Sequence, residues 1–185
     1  MLVILAALAV TACQSAKPLI DGLDAQSGLT VVADDSPAVF ARTLGQFSRS
    51  ARDYVYLGPV DINERGVHEY YLWVGMASTI DRDFLAAELQ VPTVLILEID
   101  GVPMEFELKS RDERLPRLAG RSLYAPAVLP WQELAARVTL NQLALMLNAK
   151  IDSVRVGTDA GSTIEYVRWD DSPTWSTFAE HARLR

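Results

Sequence analysis

The chain has 185 residues, of which 50% are hydrophobic and 22% charged, and its formal net charge is −7 at pH 7. That length suits one domain with a sizeable core and is short for two. The acidic balance argues against nucleic acid, whose phosphates need a basic face, and against a polybasic membrane patch.

Residues 1–12 carry no charged side chain, and Leu2 to Val10 is an unbroken apolar run. At 1.5 Å per residue such a run reaches only about half of a ~30 Å hydrocarbon core, so it is too short to cross a membrane as a helix. Its length suits the apolar region of a secretory signal peptide. Val10-Thr11-Ala12-Cys13 follows at once. These four residues resemble the lipobox of bacterial lipoproteins, and the resemblance covers residues 1–13 alone. It implies a signal peptide over 1–12, cleavage after Ala12, diacylglycerol on the Cys13 sulfur and a further acyl chain, commonly palmitate, on the new amino group. Small side chains let a peptidase approach the backbone, and a thiol is the natural nucleophile for alkylation. The other reading of this stretch is a core strand with a buried free cysteine.

Cys13 is the only cysteine. A lipidated sulfur can serve neither as nucleophile nor as metal ligand, and no disulfide can form within the chain. Several acyl chains are ample for membrane attachment. Gln14 stands where, in enterobacterial lipoproteins, Asp signals retention in the inner membrane. The resemblance therefore implies the cell envelope, with the outer membrane facing the periplasm favoured over the inner membrane.

Residues 13–37 mix Ser, Asp, Gly and Pro and are expected to form a flexible tether, with one short strand at 29–32. A single globular domain is expected over 38–185. Its first hairpin joins 54–62 to 67–74, with Asn63-Glu64-Arg65-Gly66 as a four-residue loop. Val55, Leu57, Leu72 and Val74 then share one face and Tyr56, Tyr71 and Trp73 the other, which suits a central pair covered on both sides. Asp81 to Leu89 is a candidate short helix.

The strongest local signal is Asp100-Gly101, a pair that favours a type I′ turn. It sets Ile99 against Val102, Leu97 against Met104, Leu95 against Phe106 and Thr93 against Leu108 on one face. Val94–Glu107 and Ile96–Glu105 fall on the other, so a slip of one residue would scramble the separation. Pro103 opposite Glu98 points to an edge strand. Thr139 and Gln142 make a capping box ahead of a helix whose apolar face is expected to be Leu140, Leu143, Ala144 and Leu147. A third hairpin is expected between 154–157 and 163–169. Ser172-Pro173 reads as the start of a last helix that buries Trp175, Phe178, Ala179 and Ala182. These elements predict a mainly β (α+β) fold, an antiparallel β-sandwich or curled sheet with two or three helices.

The candidate sites are few. With the four-residue loop, His68 lies opposite Asp61, an arrangement that orients an imidazole for general base work or simply pairs two polar groups across strands. A Gly-x-Ser-x-Gly elbow is absent. Zinc has little to use, since His68 and His181 belong to distant elements that nothing in the sequence brings together. Asp81, Asp83 and Glu88 lack calcium-loop spacing. Asp170-Asp171 suits a helix N-terminus, and Arg111-Asp112-Glu113-Arg114 reads as a solvated loop. Tyr56, Tyr71 and Trp73 form either a binding face or a surface covered by the helix at 139–149.

The resulting expectation is an envelope lipoprotein with a non-catalytic binding or scaffolding domain, taking no metal or cofactor. Its partners would be the membrane, through Cys13, and an envelope protein or glycan. The alternatives are an envelope hydrolase using carboxylates and His68, and a carrier of apolar ligands.

Overall fold

A computed structural model describes residues 20–24, 28–45, 49–80, 91–158, 161–170 and 175–183. The lipobox, the candidate helix at 81–89 and the Ser172-Pro173 start signal lie outside the described residues. The strands are β1 Ile20–Asp24, β2 Leu29–Ala33, β3 Ala38–Thr43, β4 Arg52–Glu64, β5 Val67–Ser78, β6 Val94–Ile99, β7 Val102–Glu107, β8 Lys109–Ser110, β9 Gln132–Val138, β10 Ser153–Gly157 and β11 Thr163–Arg168. The helices are α1 Arg111–Arg114, α2 Leu140–Asn148 and α3 Ser176–Arg183, with a 3-10 turn at Pro116–Leu118.

The strands form one antiparallel sheet in the order β7-β6-β10-β11-β3-β4-β5-β9-β8. The chain runs from β7 through Leu108 directly into β8, which lies on β9, so the curled sheet nearly closes on itself. Of the two expected architectures, the fold is the curled sheet. Pro103 sits on β7 at the end of the strand order, where its missing N–H costs no ladder bond.

The β6–β7 hairpin has the register that its alternation predicts, from Ile99–Val102 to Val94–Glu107. Asp100 and Gly101 both have positive φ, 51° and 78°, as a type I′ turn requires. The β4–β5 hairpin corrects the expected loop. Its turn is Arg65-Gly66, with φ of 52° and 89°, and the Gly66 N–H donates to Asn63 Oδ1 at 2.7 Å. Pairing therefore shifts by two residues: Asp61 opposes Tyr70, and His68 opposes Asn63. Because side chains alternate with period two, the shift leaves both faces unchanged.

The inner face packs Phe40, Val55, Leu57, Leu72, Val74, Leu95, Leu97, Leu134 and Val154 into one cluster. The capping box of α2 is present, with Thr139 Oγ1 accepting from Gln142 N–H and Gln142 Oε1 from Thr139 N–H. The helix is turned from its expected face. Leu143 and Met146 are buried with Leu147 partly so, whereas Leu140 and Ala144 face solvent. Trp175, Phe178, Ala179 and Ala182 pack as expected, Trp175 and Phe178 in the inner cluster.

The expected tether shortens. β1 and β2 form a hairpin, and β2 continues the sheet along Val60–Asn63 of β4, with Leu29, Val31, Val32 and Ala33 buried. The folded body thus begins ahead of residue 38.

β4 changes partner within its length, from β3 up to Leu57 to β2 from Val60. At this seam two aromatic donors meet backbone carbonyls. Trp175 Nε1–H donates to Leu57 O at 3.1 Å and Tyr124 O–H to Pro59 O at 2.6 Å. Pro59, which lacks an N–H, is at home in a strand only where the ladder is interrupted.

Candidate functional site

Asp61 projects from β4 on the inner face and is 1% exposed. A buried carboxylate charge needs partners, and two histidines approach it. His68 Nδ1 lies 2.8 and 3.1 Å from its two oxygens. With Nδ1–H donating, the lone pair of a neutral ring is left on Nε2. The shifted register makes this contact diagonal rather than directly across, yet the pair forms.

His181 also reaches Asp61. Its Nε2 is 3.5 Å from Asp61 Oδ2, close enough for attraction, but it makes no hydrogen bond. The sequence contains no signal for this meeting of residues 113 positions apart, and the expectation that the two histidines stay separate is corrected. A second carboxylate, buried Asp34, accepts the Phe178 N–H at 3.4 Å near the start of α3. Burial pushes the Asp34 carboxyl above its ordinary range, against the lowering effect of that N–H. Asp34, through a hydrogen bond, and Asp61, through the approach of His181, thus clasp α3 against the sheet. Among the described residues, no three of His, Cys, Asp and Glu are grouped so as to hold a metal ion.

Tyr56, Tyr71 and Trp73 share the outer face, and all three are buried. Their cover corrects the expectation. It is the segment from Leu115 to Val128, whereas α2 packs on the inner side. Trp73 packs against Tyr124 with centroids 4.9 Å apart and donates from Nε1 to Glu133 Oε2 at 2.8 Å. The Val128 N–H donates to the Tyr56 hydroxyl at 3.4 Å. Burial raises the phenols of Tyr56 and Tyr71, and that of Tyr124 well above its usual value. Arg111–Arg114 is a helical turn tied down by ion pairs rather than a solvated loop. Arg111 bridges Glu133 at 3.1 Å and Arg114 pairs with Glu107.

Where this cover meets the β4–β5 hairpin, a cleft of about 380 Å³ opens. Leu29, Ile62, Val67, Tyr71, Leu115 and Leu118 supply its apolar surface, and Glu64, Glu69, Arg114 and Arg117 its polar one. The carboxylates are matched: Glu64 pairs with Arg117, and Glu69 accepts from Arg137 at 2.7 Å and from the Tyr71 hydroxyl at 3.1 Å. Leu115 and Leu118, three residues apart after the charged run, were the available signal for this wall, masked by Pro116 between them.

The cleft and the Asp61 cluster lie back to back. Along β5, Val67, Glu69 and Tyr71 line the cleft, while His68 and Tyr70 point to the other face. Of the residues expected at a site, Tyr71 alone borders the cleft, and Asp61 and His68 meet behind it. The class defined by this architecture is a curled antiparallel sheet with a helix-packed inner core and, among the described residues, a cleft on its outer face. No protein-family model matches the chain, and comparison with curated proteins and with solved structures found no significant match.

Proposed function

We propose that this protein is a bacterial envelope lipoprotein, processed before Cys13 and anchored by lipid there, whose domain is a non-catalytic binding module. The outer cleft carries the binding reading. Its apolar surface fits an apolar side chain of a partner polypeptide, its charges flank that surface in pairs, and the carboxylates that line it, Glu64 and Glu69, are already engaged by Arg117, Arg137 and the Tyr71 hydroxyl. A protein segment suits it better than a glycan, because the Tyr71 ring is largely buried and its hydroxyl engaged by Glu69. The carrier reading is less well supported, since the sheet interior is filled by Phe40, Leu57, Leu72, Leu95 and Leu97. The hydrolase reading draws on the 2.8 Å Asp61–His68 bond, but that pair faces away from the cleft.

Among the described residues no helix is long and apolar enough to cross a membrane. Attachment in this reading rests on the acyl chains, and Gln14 favours the outer membrane facing the periplasm. Cys13→Ala is expected to abolish labelling by a clickable palmitate analogue, and sucrose gradients to place the wild type with the outer membrane. For the cleft, a photo-crosslinking amino acid at Val67 or Arg117, both exposed, should give a common adduct in intact cells. Exposed Val102 on β7 serves as control, and adducts no stronger at the cleft than there would count against the module.

A further inference from the structure

On the outer face of the sheet, large apolar side chains stand exposed around a row whose small members, Ala41 and Ala77, are buried between them. Register places Trp131, Ala77, Tyr54, Ala41 and Val167 in one row across β9, β5, β4, β3 and β11. Tyr54 pairs with Ala77 and Ala41, Ala41 with Val167, and Trp131 precedes Gln132, the partner of Met76. The Trp131 N–H donates to Met76 O at 2.9 Å, which continues that ladder. Trp169 belongs to the next row, its N–H donating to Val39 O at 2.9 Å. Val167 is 59% exposed, Trp169 54%, Trp131 37% and Leu129, in the loop before β9, 81%. Four strand spacings of about 4.8 Å make this row roughly 19 Å long.

The chemistry of the patch is aromatic and cationic. Tyr54 meets Trp169 edge-on at 6.3 Å, and the Arg52 guanidinium stands 4.7 Å from the Trp169 ring. Neighbouring acids are already matched: Asp53 by Arg42 at 2.8 Å, Asp170 by Arg168 at 2.7 Å, and Glu133 by Trp73 and Arg111. Indole and phenol rings with a snorkelling arginine are the groups that settle at the headgroup level of a bilayer.

Chain length connects this surface to the anchor. Ile20 opposes Ala33, which opposes Val60, four residues along β4 from Tyr56. Since β2 and β3 lie on the same side of β4, the start of β1 stands about 13 Å along the strands from the row of Trp169. The residues between Cys13 and Ile20 can span at most about 25 Å. A lipid on Cys13 can therefore enter a bilayer on which the patch rests.

We propose that the outer face carrying Trp131, Tyr54, Val167 and Trp169 lies against the lipid surface in which Cys13 is anchored, so that the domain is held down in one orientation with its cleft directed elsewhere. This rests on the anchor reading above, and the test separates the two. The chain has four tryptophans, and Trp73 and Trp175 are 1% and 2% exposed, which supplies an internal control. The full lipidated chain is reconstituted into vesicles of phosphatidylethanolamine and phosphatidylglycerol, with or without a phospholipid brominated near the carboxyl end of its acyl chains. Bromolipid is expected to remove roughly half of the wild-type tryptophan emission, as two interfacial indoles of four would give. The Trp131→Phe, Trp169→Phe double variant should be almost unaffected, and Val167→Glu should reduce the quenching.

Wild-type emission that is insensitive to bromolipid in protein that floats with the vesicles overturns the patch and leaves the anchor standing. So does quenching undiminished in the double variant. Undiminished flotation of Cys13→Ala overturns the anchor, and quenching in that variant then decides the patch alone.

Discussion

Replacing Gly58 with Ala would test the seam directly. A Cβ at Gly58 would stand 2.2 Å from Tyr124 Cζ, 2.4 Å from Cε2 and 2.5 Å from the hydroxyl oxygen. Carbon atoms in contact sit about 3.5–4.0 Å apart, so the ring must move by more than an ångström. Tyr124 has nowhere easy to go. It is buried, packed on Trp73 and bonded to Pro59 O. Overpacking of this kind costs about 1–3 kcal/mol, and a displaced phenol would leave a buried carbonyl short of its partner at about 1–3 kcal/mol more. Stiffening the unfolded chain returns about 0.4–1 kcal/mol. The expected net loss is about 1–5 kcal/mol, centred near 3. It would be read from urea denaturation of a soluble form beginning at Gln14, with an unchanged dependence on urea concentration. In a Tyr124→Ala background the clash disappears, and Gly58→Ala should become neutral or mildly stabilising. An equal cost in both backgrounds, or a loss under about 0.5 kcal/mol in the wild type, would refute the close approach as the reason for this glycine.

Asp34 has a folded-state pKa raised by burial, so its contribution is fully present below the ordinary carboxylate value and is lost as pH rises through the folded one. Asp34→Asn keeps an acceptor for the Phe178 N–H without the charge. Denaturation midpoints of the two proteins should therefore diverge in the variant's favour between acidic and neutral pH, and a constant gap would contradict the burial argument. Asp61→Asn keeps the shape but loses the charge-assisted bond to His68, at about 1.5–3 kcal/mol. Amide exchange should then rise more in α3 than in α2, and an equal rise in both helices would count against the clasp.

How much of this was legible in the sequence varies with the range of the forces involved. At Asp100-Gly101 the turn chemistry and the alternation of apolar residues agree, and the register follows residue by residue. At Arg65-Gly66 the turn residues are less distinctive, so the sequence leaves the pairing two residues from the observed register while assigning both faces correctly. The rotation of α2 had the same origin. Leu140, Ala144, Met146 and Leu147 are all compatible with burial, and packing on the inner cluster takes Met146 and Leu147 and leaves Leu140 and Ala144 in solvent. The Asp61–His68 contact was visible as a local pattern, whereas His181 joins it only through the packing of α3. The aromatic face was readable as a face, but its cover was not, because a segment with only short helical turns has no periodicity to read.

Two glycines explain how one end of the outer sheet surface receives the Leu115–Val128 segment so closely. Tyr124 lies over Gly58 and the Trp73 ring over Gly75, positions where any Cβ would collide, and these absences let the Leu115–Val128 segment approach the outer face closely. Further along the same strands the corresponding row carries the Tyr54 ring between buried Ala41 and Ala77. Beyond Val128 the chain stays against the sheet, with Pro130 over Gly75 and the Trp131 N–H on Met76 O, while the side chains of Leu129 and Trp131 are exposed. The segment's first part walls the cleft with Leu115 and Leu118, and its last part supplies the margin of the exposed aromatic surface. Cleft and patch therefore sit at opposite ends of one structural device. In the proposed arrangement, a domain resting on the Trp131 end presents its Leu115 end away from the bilayer, where a partner polypeptide can reach it.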